Sequence, residues 1–284
     1  MINHSKPSLI WHAPARLYIS FICCIAIANT VVESHGAETK SEGSWRTLPL
    51  INQGTIDSSW SHIGWGGFVL DNGAIRTACD PKGLGLLVYN KERFGNCQVR
   101  VVFKSKDSNS NAGVFVRIAD GILDQVGKPG AAFDRDKQGK ISGVSGEQMR
   151  ESSNKEEGPW FAVHRGYEVQ IMDAADPLHR TGAIYSLAPS SAISEKSPDE
   201  WRTMVITLDG PWIFVDLDGQ RVTSFDTESP DVAPAKQWYE PKREVKRPKI
   251  GYLGLQNHDP GDVVWFKEIA VRLLPAPTTS PHDQ

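Results

Sequence analysis

The sequence predicts an all-β sandwich or jelly roll. About eleven or twelve short apolar runs alternate with polar turns, the pattern of half-buried strands. Asn72-Gly73 and Asp218-Gly219 each sit between two such runs, where a tight hairpin turn needs residues that tolerate positive φ. No convincing amphipathic helix interrupts the series. At 284 residues the chain is long enough for two small domains, but no second core is visible, so one domain is expected.

The first stretch stands apart from this pattern. Lys6 and Arg16 precede an apolar run from Leu17 to Ile27, followed by Ala26-Ile27-Ala28 as a small-residue cleavage site. That is the build of a secretory signal peptide over residues 1–36, with the mature chain starting between 29 and 38. The run is too short to span a bilayer, so no integral membrane segment is expected after its removal, and the location is secreted or periplasmic. Export leaves Cys79 and Cys97, which an oxidising compartment allows either to bridge or to remain two buried thiols. A net charge of −3 gives no electrostatic case for nucleic acid.

Residues 38–62 read as a loose entry segment anchored by Trp45 and Trp60. The first clear element is the hairpin from Gly66 to Arg76, followed by a strand from Leu84 to Tyr89. Asn96 to Lys104 then places Cys97, Val99, Val101 and Phe103 on one face. Asn109 to Gly113 turns into the strand Val114 to Ile118. From 119 to 165 the periodicity stops, and a segment this long is expected to form a lid or rim loop, with a short helix around Gly146 to Asn154. His164 and His179 read as surface loop residues. Tyr167 to Asp173 is a strand, and Gly182 to Tyr185 reads as another. Trp201 to Leu208, Trp212 to Leu217 and Arg221 to Phe225 follow. A proline- and charge-rich loop spans 229–247, then come Ile250 to Gln256 and Val263 to Leu273, and the tail 275–284 is expected to be flexible.

Within the Tyr167 strand, Tyr167, Val169 and Ile171 alternate with Glu168 and Gln170. Strand geometry puts the carboxylate and the amide on one face, roughly 7 Å apart. Such a face either meets water or lines a polar site.

The motif order resembles the 3-keto-disaccharide hydrolase domain family. Three stretches carry the likeness: Asn111-Ala112-Gly113-Val114-Phe115-Val116-Arg117, Tyr167-Glu168-Val169-Gln170-Ile171-Met172-Asp173, and Gly182-Ala183-Ile184-Tyr185. Glu92-Arg93-Phe94-Gly95-Asn96, Gly254-Leu255-Gln256-Asn257-His258 and Val264-Trp265-Phe266-Lys267-Glu268-Ile269 support it. The resemblance covers 45–274. It departs from the family's usual pattern at Lys267, at Asp218 and in the insertion over 119–165.

The resemblance implies a concanavalin-like jelly-roll sandwich of two antiparallel sheets with its site on the concave face. It also implies cleavage of 3-keto-glycosides by C2 proton abstraction, elimination and hydration. A ketone at C3 acidifies the hydrogen on C2, so a base, an electrophile for the C3 oxygen and an acid for the leaving oxygen are needed. Glu168, His258 and Arg117 are the expected catalytic residues, and Gln170, Tyr185 and Asn111 the expected substrate contacts. Glu168, Gln170 and Asp173 are oxygen ligands suited to a divalent cation of the Ca or Mn type. Arg117 can alternatively form a plain cross-strand ion pair with Glu168, and Asp173 can be a turn residue. The partner expected is an oligosaccharide or glycoside. Two other readings stay open: a non-catalytic carbohydrate-binding, lectin-like module, and a conventional glycoside hydrolase.

Overall fold

The alternating runs fold into antiparallel sheets. The computed structural model describes residues 43–275, so the expectations for the signal peptide and for the tail beyond Pro275 lie outside the described residues. In chain order the strands are β1 (Arg46–Leu48), β2 (Ile51–Asn52), β3 (Thr55–Ile56), β4 (Trp60–Gly64) and β5 (Gly67–Asp71). Next are β6 (Ala74–Ala78), β7 (Gly85–Tyr89), β8 (Cys97–Ser105), β9 (Ala112–Ile118) and β10 (Tyr167–Ile171). The last are β11 (Arg202–Asp209), β12 (Trp212–Leu217), β13 (Gln220–Asp226), β14 (Tyr252–Asn257) and β15 (Val264–Leu273). The larger sheet has the order β13-β12-β11-β8-β15-β6-β5, with β1 added on β15. The smaller sheet has the order β10-β9-β14-β7-β4. Strand pairing is antiparallel throughout, which gives the jelly-roll sandwich.

Period-2 patterning explains the core between the sheets. β8 alternates strictly, burying Cys97, Val99, Val101 and Phe103 against residues such as Val114, Val169 and Leu255 of the smaller sheet. Each fully buried side chain of this kind contributes about 1.5–3 kcal/mol. The Asn72-Gly73 turn takes φ of 49° and 79°, as the hairpin joining β5 and β6 requires.

The smaller sheet departs from the one-wet-face pattern. Every residue of β9 and β10 is buried, because the 119–165 insertion covers the face turned away from the inter-sheet core. The insertion is more ordered than the expected loop. It holds a short 3₁₀ turn over Ile122–Gln125, then α1 (Gly143–Asn154) and α2 (Pro159–Arg165). Ser142 caps α1 by accepting from the Ser145 N–H, and Pro159 opens α2, where its missing N–H costs nothing. Ile63, Leu86, Val88, Phe115 and Ile118 of the sheet region meet Ile122, Met149, Trp160, Ala162 and Val163 of the insertion in a second apolar cluster. The sequence concealed this cluster because α1 buries Ser145, Met149, Ser152 and Ser153, only one of them apolar.

Several further expectations are corrected. The entry segment contains strands β1 to β4. Gly182 to Tyr185 is not a strand but a turn-rich segment laid along β10, with the Gln170 N–H donating to the Ala183 carbonyl and an isolated bridge from Val169 to Ile184. His164 is buried rather than superficial, its Nε2 2.9 Å from the Ser153 hydroxyl. Cys79 and Cys97 are free thiols, and burial in the core pushes the Cys97 thiol up to about 12. Among the described residues no helix is long and apolar enough to cross a membrane.

Candidate functional site

The polar face of β10 forms the floor of a cavity of about 410 Å³. Antiparallel pairing sets Glu168 opposite Phe115 and Gln170 opposite Gly113. The Glu168 side chain fills the space that Gly113 leaves open, and a Cβ at that position would lie 2.3 Å from its carboxylate and force it to shift. β14 brings Gln256 to the same floor, and His258 and Asp259 follow just beyond its end. Asn257 anchors that end, its amide donating to the Trp65 carbonyl at 2.9 Å. Tyr185 and Asn111 complete the polar lining.

Five of the expected site residues therefore share one cavity: Asn111, Glu168, Gln170, Tyr185 and His258. Two do not join them. Arg117 sits at a bulge, where the pairing between β9 and β14 shifts register and its φ is +51°. The extra residue breaks the alternation that would have put Arg117 on the Phe115 face. Its guanidinium instead donates to the Gly210 carbonyl at 2.8 Å, beside Cys97 and Tyr167, and forms no pair with Glu168. Asp173 lies past the end of β10, where it pairs with buried Arg202 at 2.6 Å and accepts from the Thr181 hydroxyl.

The expected metal ligands consequently do not assemble. Asp173 is committed to Arg202, and the Gln170 side-chain oxygen Oε1 accepts from the Ile171 N–H at 3.1 Å. Among the described residues, no group of three or more His, Cys, Asp or Glu is placed to hold a metal ion. Among the described residues of the cavity lining, the buried acceptors left without a donor are Asn111 Oδ1 and Gln256 Oε1, two amide oxygens open to hydroxyl donors.

Electrostatics set the two ionisable groups of the floor apart from ordinary side chains. Burial raises the Glu168 carboxyl to about 8, opposed by the charge of His258 and a hydrogen bond from Gln256. Burial works to lower His258, but the Asp262 carboxylate 3.4 Å from Nδ1, with Asp259 and Glu168 behind it, raises it overall. Burial and the nearby Glu168 charge push the Tyr185 phenol up, so it remains a hydrogen-bond donor at all ordinary pH. An imidazole whose protonated form is favoured, on the same floor as a carboxyl of raised basicity, is an acid–base pair suited to moving protons near neutrality.

Sequence reasoning missed Gln256, although period-2 alternation around Leu255 and its place two residues before His258 would have found it. It anticipated 119–165 as a lid or rim but named none of its residues, nor Trp238, as cavity lining. Phe133, Ile141, Trp160 and Val163 come from the insertion and Trp238 from the loop before β14. No repeat or alternation in those segments marks them.

Two structures from Parabacteroides distasonis ATCC 8503, both described provisionally as glycosyl hydrolases, share the fold. One is 21% identical with a TM-score of 0.54, covering 81% of this chain and all of its own. The other is 16% identical with a TM-score of 0.50, covering 77% of this chain and 89% of its own. The carbohydrate-binding module CBM66 from Bacillus subtilis aligns more loosely, at 12% identity and a TM-score of 0.42 over 75% of this chain and 95% of its own. No curated protein sequence matches. The family model for the 3-keto-alpha-glucoside-1,2-lyase-like domain matches residues 44–272, the whole sandwich together with its insertion, and the chain belongs to that family.

Proposed function

We propose that this protein is an exported, secreted or periplasmic enzyme that cleaves 3-keto-glycosides by elimination and hydration. The observation that carries the reading is the buried Glu168 carboxyl sharing the floor of a largely apolar cavity with His258, whose protonated form the carboxylates around it favour. A carboxylate whose conjugate acid titrates near 8 is a far stronger base than a solvated one, and its basicity is matched to neutral conditions.

In this account the Glu168 carboxylate removes the proton from C2 of the keto sugar. The electron pair passes through the C3 enolate to form the C1=C2 bond as the bond from C1 to the leaving oxygen breaks. His258 gives its proton to that oxygen. Water then adds at C1, passing one proton to His258, while Glu168, its proton exchanged with solvent at the enone stage, delivers a proton to C2, so both groups end as they began. Tyr185, held protonated, and the Gln170 amide supply donors for the negative charge on the C3 oxygen. Asn111 Oδ1 and Gln256 Oε1 accept from ring hydroxyls.

A non-catalytic carbohydrate-binding role is the second reading, favoured by the unpaired amide oxygens Asn111 Oδ1 and Gln256 Oε1 on the floor, which can hold ring hydroxyls without any chemistry. A conventional glycoside hydrolase fits less well. It needs a second carboxylate, and the other one in the cavity, Asp259, is tied to Arg135 at 2.8 Å. The deciding experiment is incubation of wild type and Glu168→Gln with 3-keto-trehalose, followed by product analysis. Turnover by wild type that the variant loses supports the enzyme. Binding of plain glycans with no turnover of any keto sugar overturns it in favour of the binding module.

A further inference from the structure

The cavity is divided by origin. Its floor, from β10, β14 and their continuations, carries the polar groups. Its wall, from the insertion and the loop around Trp238, presents Phe133, Ile141, Trp160, Val163 and Trp238. Apart from the Trp238 ring N–H, the polar side-chain atoms of that wall are already engaged. The Trp160 ring N–H donates to the Met149 sulfur at 3.2 Å. Arg135 donates to Asp259 at 2.8 Å and to the carbonyls of Pro81 and Gly139, each at 3.1 Å. Tyr239, at 41% exposure, stands at the rim.

A sugar ring placed on the floor finds donors and acceptors, but a group leaving from C1 toward the wall finds almost none. A second hexose would lose the water bonded to its hydroxyls and gain few partners in return, whereas an apolar ring would lose nothing. Resting on the 3-keto-glycoside reading above, we propose that the substrate's leaving group is an apolar, ring-sized aglycone rather than a second sugar. The segment over 119–165 is then the aglycone-binding element.

The test compares 3-keto cyclohexyl glucoside with 3-keto-trehalose. Cyclohexanol is no better a leaving group than a sugar hydroxyl, so any preference reflects binding. The expected kcat/KM for the cyclohexyl substrate is higher by about tenfold or more, and Ile141→Asn lowers that ratio. Equal or reversed preference, or a ratio unmoved by Ile141→Asn, overturns the inference. Should neither keto sugar be turned over, the enzyme reading fails on its own. In that case the affinities of unoxidised cyclohexyl glucoside and trehalose, read by tryptophan fluorescence, decide the aglycone question: tighter binding of the cyclohexyl compound supports it, and equal binding overturns it.

Discussion

Replacing Glu168 by Gln is expected to make the folded protein more stable, increasingly so as pH rises above about 4.5. Burial raises the Glu168 carboxyl from its ordinary 4.5 to about 8. Below 4.5 the group is protonated whether the chain is folded or not, and it contributes nothing to the pH dependence. Between the two values the unfolded chain releases a proton that the folded chain keeps, so stability falls as pH rises, and the full loss is reached above about 8. At 1.36 kcal/mol per pH unit that loss amounts to about 5 kcal/mol, an upper bound because water entry on ionisation reduces it. Gln has nearly the same shape and no charge to desolvate, so it escapes the loss. For a domain of this size 1 kcal/mol moves Tm by about 2–4 °C, which predicts a gain of about 10–20 °C for the variant at pH 9 and little difference at pH 4. Thermal unfolding followed by circular dichroism at the two pH values makes the measurement. An equal difference at both, or a variant less stable at pH 9, refutes the claim that Glu168 is held in a desolvated site.

Three other outcomes follow from the same geometry. If Glu168 is the base and His258 the acid, kcat/KM on a 3-keto-glycoside rises about tenfold per pH unit on the acid side until His258 begins to lose its proton, and a profile already flat above pH 5 contradicts that role. Gly113→Ala places a methyl 2.3 Å from the carboxylate position, so kcat/KM is expected to fall about 100-fold or more while the far-ultraviolet spectrum is retained; full activity in the variant means that Glu168 is free to move. Asp173→Ala leaves Arg202 buried without its partner, and denaturant titration is expected to show a loss of about 3–5 kcal/mol with kcat/KM of the folded fraction unchanged. Unchanged stability with lost activity would return Asp173 to the site.

Much of this was legible because a strand's side chains obey a period of two. That rule put Glu168 and Gln170 on one face, drew β8 almost to its ends, and located the hairpin at Asn72-Gly73. It failed where an extra residue enters a strand. Nothing in Val116-Arg117-Ile118 announces a bulge, and that bulge turns Arg117 away from the cavity. It failed again where polar residues carry packing, as with Ser145, Ser152 and Ser153 of α1, and His164, whose burial depends on the Ser153 hydroxyl and the Lys242 N–H. The walls of the site were illegible for the same reason: Phe133, Trp160 and Trp238 converge through tertiary contacts rather than spacing. Asp173 was misplaced because strand β10 ends at Ile171 and its buried partner, Arg202, lies 29 residues further along the chain.

The central claim is that this site takes a proton from C2 of a keto sugar. Turnover of a 3-keto-glycoside in deuterium oxide, stopped early and read by mass spectrometry and proton NMR, tests it most directly. Elimination followed by hydration predicts a released 3-keto sugar carrying one deuterium at C2, with both turnover and label lost in Glu168→Gln. Cleavage that leaves the original hydrogen on C2 would contradict the account.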